Sequence, residues 1–117
     1  MKRIYVCGEY SADNVLDVLY NIGRGEAKCA ELFSYGLAPF CPWADAVYAK
    51  LLLEYPLDKQ AFYNASIAWL RVSDAVYVIS GEGKGGGVDA EIKIANEIGI
   101  PVFRGFMSLL TWAGVIK

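Results

Sequence analysis

The sequence predicts a single α/β domain. Its core would be a parallel sheet of four or five strands in the order 2-1-3-4, flavodoxin-like or Rossmann-like, flanked by helices. Three observations carry this. Short apolar runs alternate with stretches of helical spacing, as in strands joined by helical crossovers. The runs are apolar at consecutive positions, which suits strands buried on both faces. The glycine-rich stretch Ser80–Gly87, with five glycines in seven residues, follows one such run and opens a helical pattern. That order places backbone amides and a helix N-terminus at the carboxyl edge of the sheet, where open α/β folds bind ligands.

Arg3-Ile4-Tyr5-Val6-Cys7, ending at Gly8, reads as a central strand. The loop Gly8–Asp13 leads to Asn14, a good helix cap, with Asp17 in the first turn. Apolar residues at 15, 18, 19, 22, 30 and 33 keep helical spacing as far as Gly36, a C′ glycine. Gly23 and Gly25 interrupt this helix at about 1 kcal/mol each relative to alanine. Either close packing or a kink would account for them. Leu37–Phe40 is a second strand closed by Pro42. Ala44–Tyr55 is a helix broken by Pro56, and Lys59–Arg71 is another. The third strand is Ala75–Ile79, the next helix spans 88–98, and Ile100–Phe103 follows Gly99 as a fourth strand. The apolar tail Arg104–Lys117 is expected to dock on the domain. In this order the switch point lies between the first and third strands, so the loops Gly8–Asp13 and Ser80–Val88 converge on one crevice.

At 117 residues the chain has room for one core, giving a single domain 1–117. A net charge of −2 with scattered Lys and Arg argues against nucleic acid as a partner. Histidine is absent, which removes Ser-His triads, histidine acid–base chemistry and most zinc sites. No metal and no cofactor is expected. Cys7, Cys29 and Cys41 are odd in number without C-x-x-C spacing, as expected of reduced thiols in a cytoplasmic protein. The apolar stretch near the N-terminus is broken by Glu9, Asp13 and Asn14, so neither a signal peptide nor a membrane span is expected. The apolar fraction of 56% exceeds the usual share of roughly 45–50%. A homodimer or higher homo-oligomer would cover the excess.

Gly81, Gly83 and Gly86 spell G-x-G-x-x-G, but after the third strand and without the acid about 20 residues on that a dinucleotide site needs. Lys84 precedes Gly85 rather than Ser or Thr, so the loop is not a Walker loop. Glu91 is expected in the first turn of the following helix, where the helix dipole favours the ionised form. An ionised carboxylate beside a ligand-sized gap is a candidate nucleophile. Tyr10 and Trp43, on loops at the same edge, are placed either to stack on a base or to pack the rim. Asp74, just before the third strand, is placed to cap or orient.

Ile4–Ser11, Trp69–Ala75 and Gly87–Ile92 together resemble the nucleoside 2-deoxyribosyltransferase superfamily, in particular a small, little-characterised bacterial and phage branch. The likeness runs from the first strand to Phe103. It implies cleavage or transfer at the N-glycosidic bond of a (deoxy)nucleoside or nucleoside 5′-monophosphate. Glu91 matches the nucleophile that attacks the anomeric carbon and forms a covalent sugar ester. It also implies that the Gly8–Asn14 loop and the glycine loop bind phosphate or ribose; with Trp43 and Asp74 from the edge positions above, the expected substrate-binding residues are Gly8, Glu9, Tyr10, Asn14, Trp43, Asp74, Ser80, Gly85, Gly86 and Gly87. Two positions depart from the pattern: Ser66 stands where members carry an acid, and Gly85 where they carry Asp or Ser. Glu82, Asp74 and Glu9 are the candidates to protonate a departing base. The alternative is a nucleotide-binding module of the same fold with little or no turnover. A looser likeness, to phosphoribohydrolases of the lysine-decarboxylase-like family, lacks the threonine of their glycine motif.

Overall fold

In the computed structural model, which describes residues 1–52 and 58–117, the first strand β1 (Arg3–Cys7) is buried from Ile4 onward. It pairs in parallel with β2 (Ala38–Phe40) on one side and β3 (Ala75–Val78) on the other. β4 (Val102–Phe103) extends the sheet beyond β3. The order is 2-1-3-4, as the sequence predicts, with four strands.

Alternation along the strands divides the core in two. Ile4 and Val6 of β1, with Ala75 and Tyr77 of β3, face α1 (Val15–Ser34) and α5 (Phe106–Ala113), through Cys29, Leu32, Leu109 and Leu110. Tyr5 and Cys7, with Val76 and Val78, face α3 (Lys59–Leu70) and α4 (Gly87–Ile98), through Ile67, Leu70, Val88, Ile92 and Ala95. Each apolar side chain buried in this way contributes about 1.5–3 kcal/mol.

The helix ends follow local chemistry. Asn14 caps α1, its side chain accepting from Asp17 N at 2.9 Å. Asp58 caps α3, accepting from Ala61 N at 2.9 Å. Gly36 takes the positive φ of a C′ residue. Pro42 differs from expectation. It opens a 3₁₀ turn (Pro42–Asp45) that leads into α2 (Ala46–Leu51), because proline fixes φ and needs no donor at a helix start. The expected run of that helix to Tyr55 and its break at Pro56 lie outside the described residues. The C-terminal tail docks as α5, with Leu109 and Leu110 fully buried.

The two glycines of α1 separate cleanly. The helix runs unbroken through both. Gly23 faces open space, whereas a Cβ on Gly25 would collide with the indole of Trp43, which is 1% exposed. Gly25 is therefore a contact point between α1 and the 3₁₀ turn. Gly23→Ala should raise stability by about 0.5–1 kcal/mol through helix propensity alone. Gly25→Ala should lower it by about 1–3 kcal/mol, because overpacking against a rigid ring outweighs that gain. Thermal melts of the two variants check the opposite signs.

Candidate active site

In the loop after β1, Glu9 is fixed through both of its main-chain groups. Glu9 N donates to Ser80 Oγ at 2.9 Å, and Trp43 Nε1 donates to Glu9 O at 2.9 Å. Ser80 thus braces the loop without lining the cleft. Lys84 Nζ donates to Glu9 Oε1 at 2.8 Å, joining the β1 loop to the glycine loop.

The glycine loop requires its glycines. Gly81, Gly83 and Gly85 sit at φ of 85°, 86° and 71°, a region that side chains disfavour. The Asp89 carboxylate accepts from Gly83 N at 2.8 Å and Gly85 N at 2.6 Å. Those amides hold Asp89 below the usual carboxylate range. Gly85 therefore spends its N–H on Asp89 and stands outside the cleft, contrary to the expectation that it contacts ligand. Gly86, the N-cap of α4, has no side-chain cap, and it lines the cleft with Gly87 and Val88.

The first-turn acid of α4 is Asp89, not Glu91, because the helix begins at Gly87. Glu91 lies one step beyond that turn and turns inward toward β1. Cys7 Sγ donates to Glu91 Oε2 at 3.1 Å. The Tyr5 hydroxyl is buried beside Glu91 and Ser66 without reaching hydrogen-bond geometry. Burial pushes the Glu91 carboxyl above its usual range, and the Cys7 thiol and nearby Tyr5 hydroxyl offset part of this. Desolvation thus works against the ionised form that the helix dipole was expected to favour. The same burial, with Glu91 alongside, raises Cys7 and Tyr5.

These elements enclose a cleft of about 710 Å³ at the switch point between β1 and β3. Of the residues expected from sequence, it brings together Gly8, Glu9, Tyr10, Trp43, Gly86, Gly87 and Glu91. Trp43 presents only an edge, since its ring is buried against Gly25, so it packs rather than offering a free stacking face. Asn14 is exposed and spent on capping α1. Asp74 lies at the opposite, amino edge of the sheet, where it accepts from Arg3 N at 2.7 Å. That excludes it as a proton donor here. Glu82 turns away from the cleft to Arg104, whose Nε and Nη2 donate at 2.7 and 2.6 Å and hold it below its usual range.

Sequence reasoning missed Cys7 as the partner of Glu91, and it missed Asp45, which lines the cleft with Lys59, Tyr63 and Ser66. Asp45 is half-buried, and burial pushes its carboxyl upward, partly offset by the Tyr10 hydroxyl. Its signal in the sequence is position: it follows β2 by five residues, at the same carboxyl edge as Gly8.

Residues 2–104 match the family described as a domain of unknown function, DUF7768. The chain belongs to the DUF7768 family. No curated protein matches this DUF7768 sequence. Among solved structures, it is similar to a 2-deoxyribosyltransferase from the psychrotolerant bacterium Bacillus psychrosaccharolyticus. The TM-score is 0.57 and the identity 16%, over 86% of this chain and 69% of that one. The DUF7768 chain therefore shares the deoxyribosyltransferase fold. Among the described residues, no helix is long and apolar enough to cross a membrane.

The raised carboxyl of Glu91 sets a pH dependence of stability. Its charged form is disfavoured in the folded state, so the cost appears as pH rises from the unfolded value of about 4.3 through the higher folded one. Glu91→Gln should therefore raise the melting temperature at pH 7–8, with the difference vanishing toward pH 4. Calorimetry across that range checks it. A constant difference would assign the effect to packing rather than charge.

Proposed function

We propose that this DUF7768 protein cleaves or transfers the N-glycosidic bond of a (deoxy)nucleoside or nucleoside 5′-monophosphate, with Glu91 as nucleophile. The observation that carries this is a half-buried carboxylate, oriented by a thiol at 3.1 Å, in a cleft at the sheet's switch point. Its oxygen attacks the anomeric carbon as the bond to the base breaks, and the resulting ester passes the sugar to a second base or to water. Burial suits the step, because a poorly solvated carboxylate attacks an oxocarbenium-like centre more readily than a hydrated one. The fold shared with a 2-deoxyribosyltransferase supports the same chemistry. The amides at the start of α4, beside Gly86 and Gly87, are suited to the oxygens of a ribose or phosphate.

A second reading is a nucleotide-binding module without turnover. It is favoured by Ser66, which occupies the cleft where the resembled enzymes carry an acid. Incubation with a panel of deoxynucleosides and their monophosphates, followed by chromatography for free base, separates the two. Base release by the wild type, reduced about 10⁴-fold or more in Glu91→Gln, is expected of the enzyme. Ligand-induced melting shifts with no free base would support the binder.

Assembly as a cytoplasmic homodimer completes the proposal. Val15, Leu16, Leu19 and Tyr20 form a stripe on α1 that is 58–74% exposed, and Val47, Tyr48 and Leu51 of α2 are also exposed. The C-terminal tail docks within the domain as α5, and the exposed α1 stripe is the surface proposed for the interface. Sedimentation at micromolar concentration should give a dimer, and Leu16→Glu with Leu19→Glu a monomer near 12.8 kDa. A monomeric wild type would contradict this.

A further inference from the structure

The three acids that the sequence offered to protonate a departing base are all otherwise engaged. Asp74 is at the wrong edge, Glu82 is held by Arg104, and Glu9 is paired with Lys84. Among the described residues, the cleft is lined by one carboxyl besides Glu91 and the Lys84-paired Glu9: Asp45. Asp45 follows β2 and Glu91 follows β3, and these strands flank β1 on opposite sides. The two carboxyls therefore enter the cleft from opposite sides of β1.

We propose that Asp45 is the general acid that protonates the departing base. Its role rests on the glycosyl cleavage proposed above. The proton moves from the Asp45 carboxyl to an acceptor atom of the base as the bond from the anomeric carbon to the base nitrogen breaks. The electron pair of that bond stays on the nitrogen, and Glu91 forms the new bond to carbon. A neutral base leaves, and Asp45 becomes a carboxylate. When water attacks the sugar ester, its proton returns to Asp45 and Glu91 is released as carboxylate.

Placement on opposite sides of the cleft carries this division of labour. Half-burial favours the protonated form of Asp45, and the Tyr10 hydroxyl beside it offsets only part of this. At Glu91 the Cys7 thiol, 3.1 Å from Oε2, aims a donor at the attacking carboxylate and offsets part of the cost of its burial. A pair of carboxyls flanking one cleft is the arrangement that acid and nucleophile roles require. Lys59 and Tyr63 also line the cleft, and Lys84 is occupied by Glu9.

The test compares two leaving groups. A purine or pyrimidine deoxynucleoside needs protonation to release its base, whereas 4-nitrophenyl 2-deoxyribofuranoside releases a stable anion. Asp45→Asn should slow base release about 10²–10⁴-fold while leaving nitrophenol release within a few-fold of wild type. Glu91→Gln should abolish both. Equal loss on both substrates, or no loss on either, overturns the acid role of Asp45 while leaving glycosyl cleavage intact. So does a wild type that releases nitrophenol but no base. A wild type inactive on both overturns glycosyl cleavage and the role of Asp45 with it. Thermal melts confirm folding, and Asp45→Ala replaces the asparagine variant if that one melts early.

Discussion

Burial of β1 on both faces and along both edges is the constraint on which the rest of the structure depends. Ile4 to Cys7 are without solvent exposure, so every side chain must match the layer it enters. Side chains alternate strictly, and a slip of one residue would exchange the two faces. The register that sends Ile4 and Val6 to α1 and α5 necessarily sends Tyr5 and Cys7 to α3 and α4. Cys7 can reach Glu91 only in that register. The orientation of the candidate nucleophile is thus a by-product of core packing, and the strand that stabilises the fold also delivers Gly8 and the loop after it to the cleft.

Around the cleft, local polar groups determine which donors and charges remain for a ligand. The glycine loop closes on itself through Asp89, which takes the amides of Gly83 and Gly85 and leaves the start of α4 open at Gly86 and Gly87. Lys84 and Glu9 cancel each other at the cleft wall, and Arg104 removes Glu82 from it. Two carboxyls remain that are tuned mainly by desolvation, Glu91 and Asp45.

The strands, their order and the Asn14 cap are legible in the sequence because each rests on short-range pattern: consecutive apolar residues, punctuating glycines and a cap beside its helix. Misplacements arise where a three-dimensional competitor intervenes. Glu91 is expected to be held ionised by the helix start, but the helix begins at Gly87 and Glu91 falls beyond its first turn, half-buried against Cys7. Gly85 looks free to bind until Asp89, four residues on, folds back onto it. Trp43 looks like a stacking platform, yet Gly25 of α1 accepts its ring. Asp74 is a different case, since strand direction alone puts a residue before β3 at the edge opposite the crevice. Asp45 carries no motif, and only the position of β2 beside β1 reveals it.

The central claim is that Glu91 becomes covalently attached to the sugar. Rapid acid quench during turnover of a deoxynucleoside, followed by mass spectrometry of the digested protein, tests it most directly. The account predicts one deoxyribosyl group on the peptide containing Glu91, absent from the Glu91→Gln protein. Free base produced at full rate with no sugar on that peptide, or with the sugar on another residue, would contradict it.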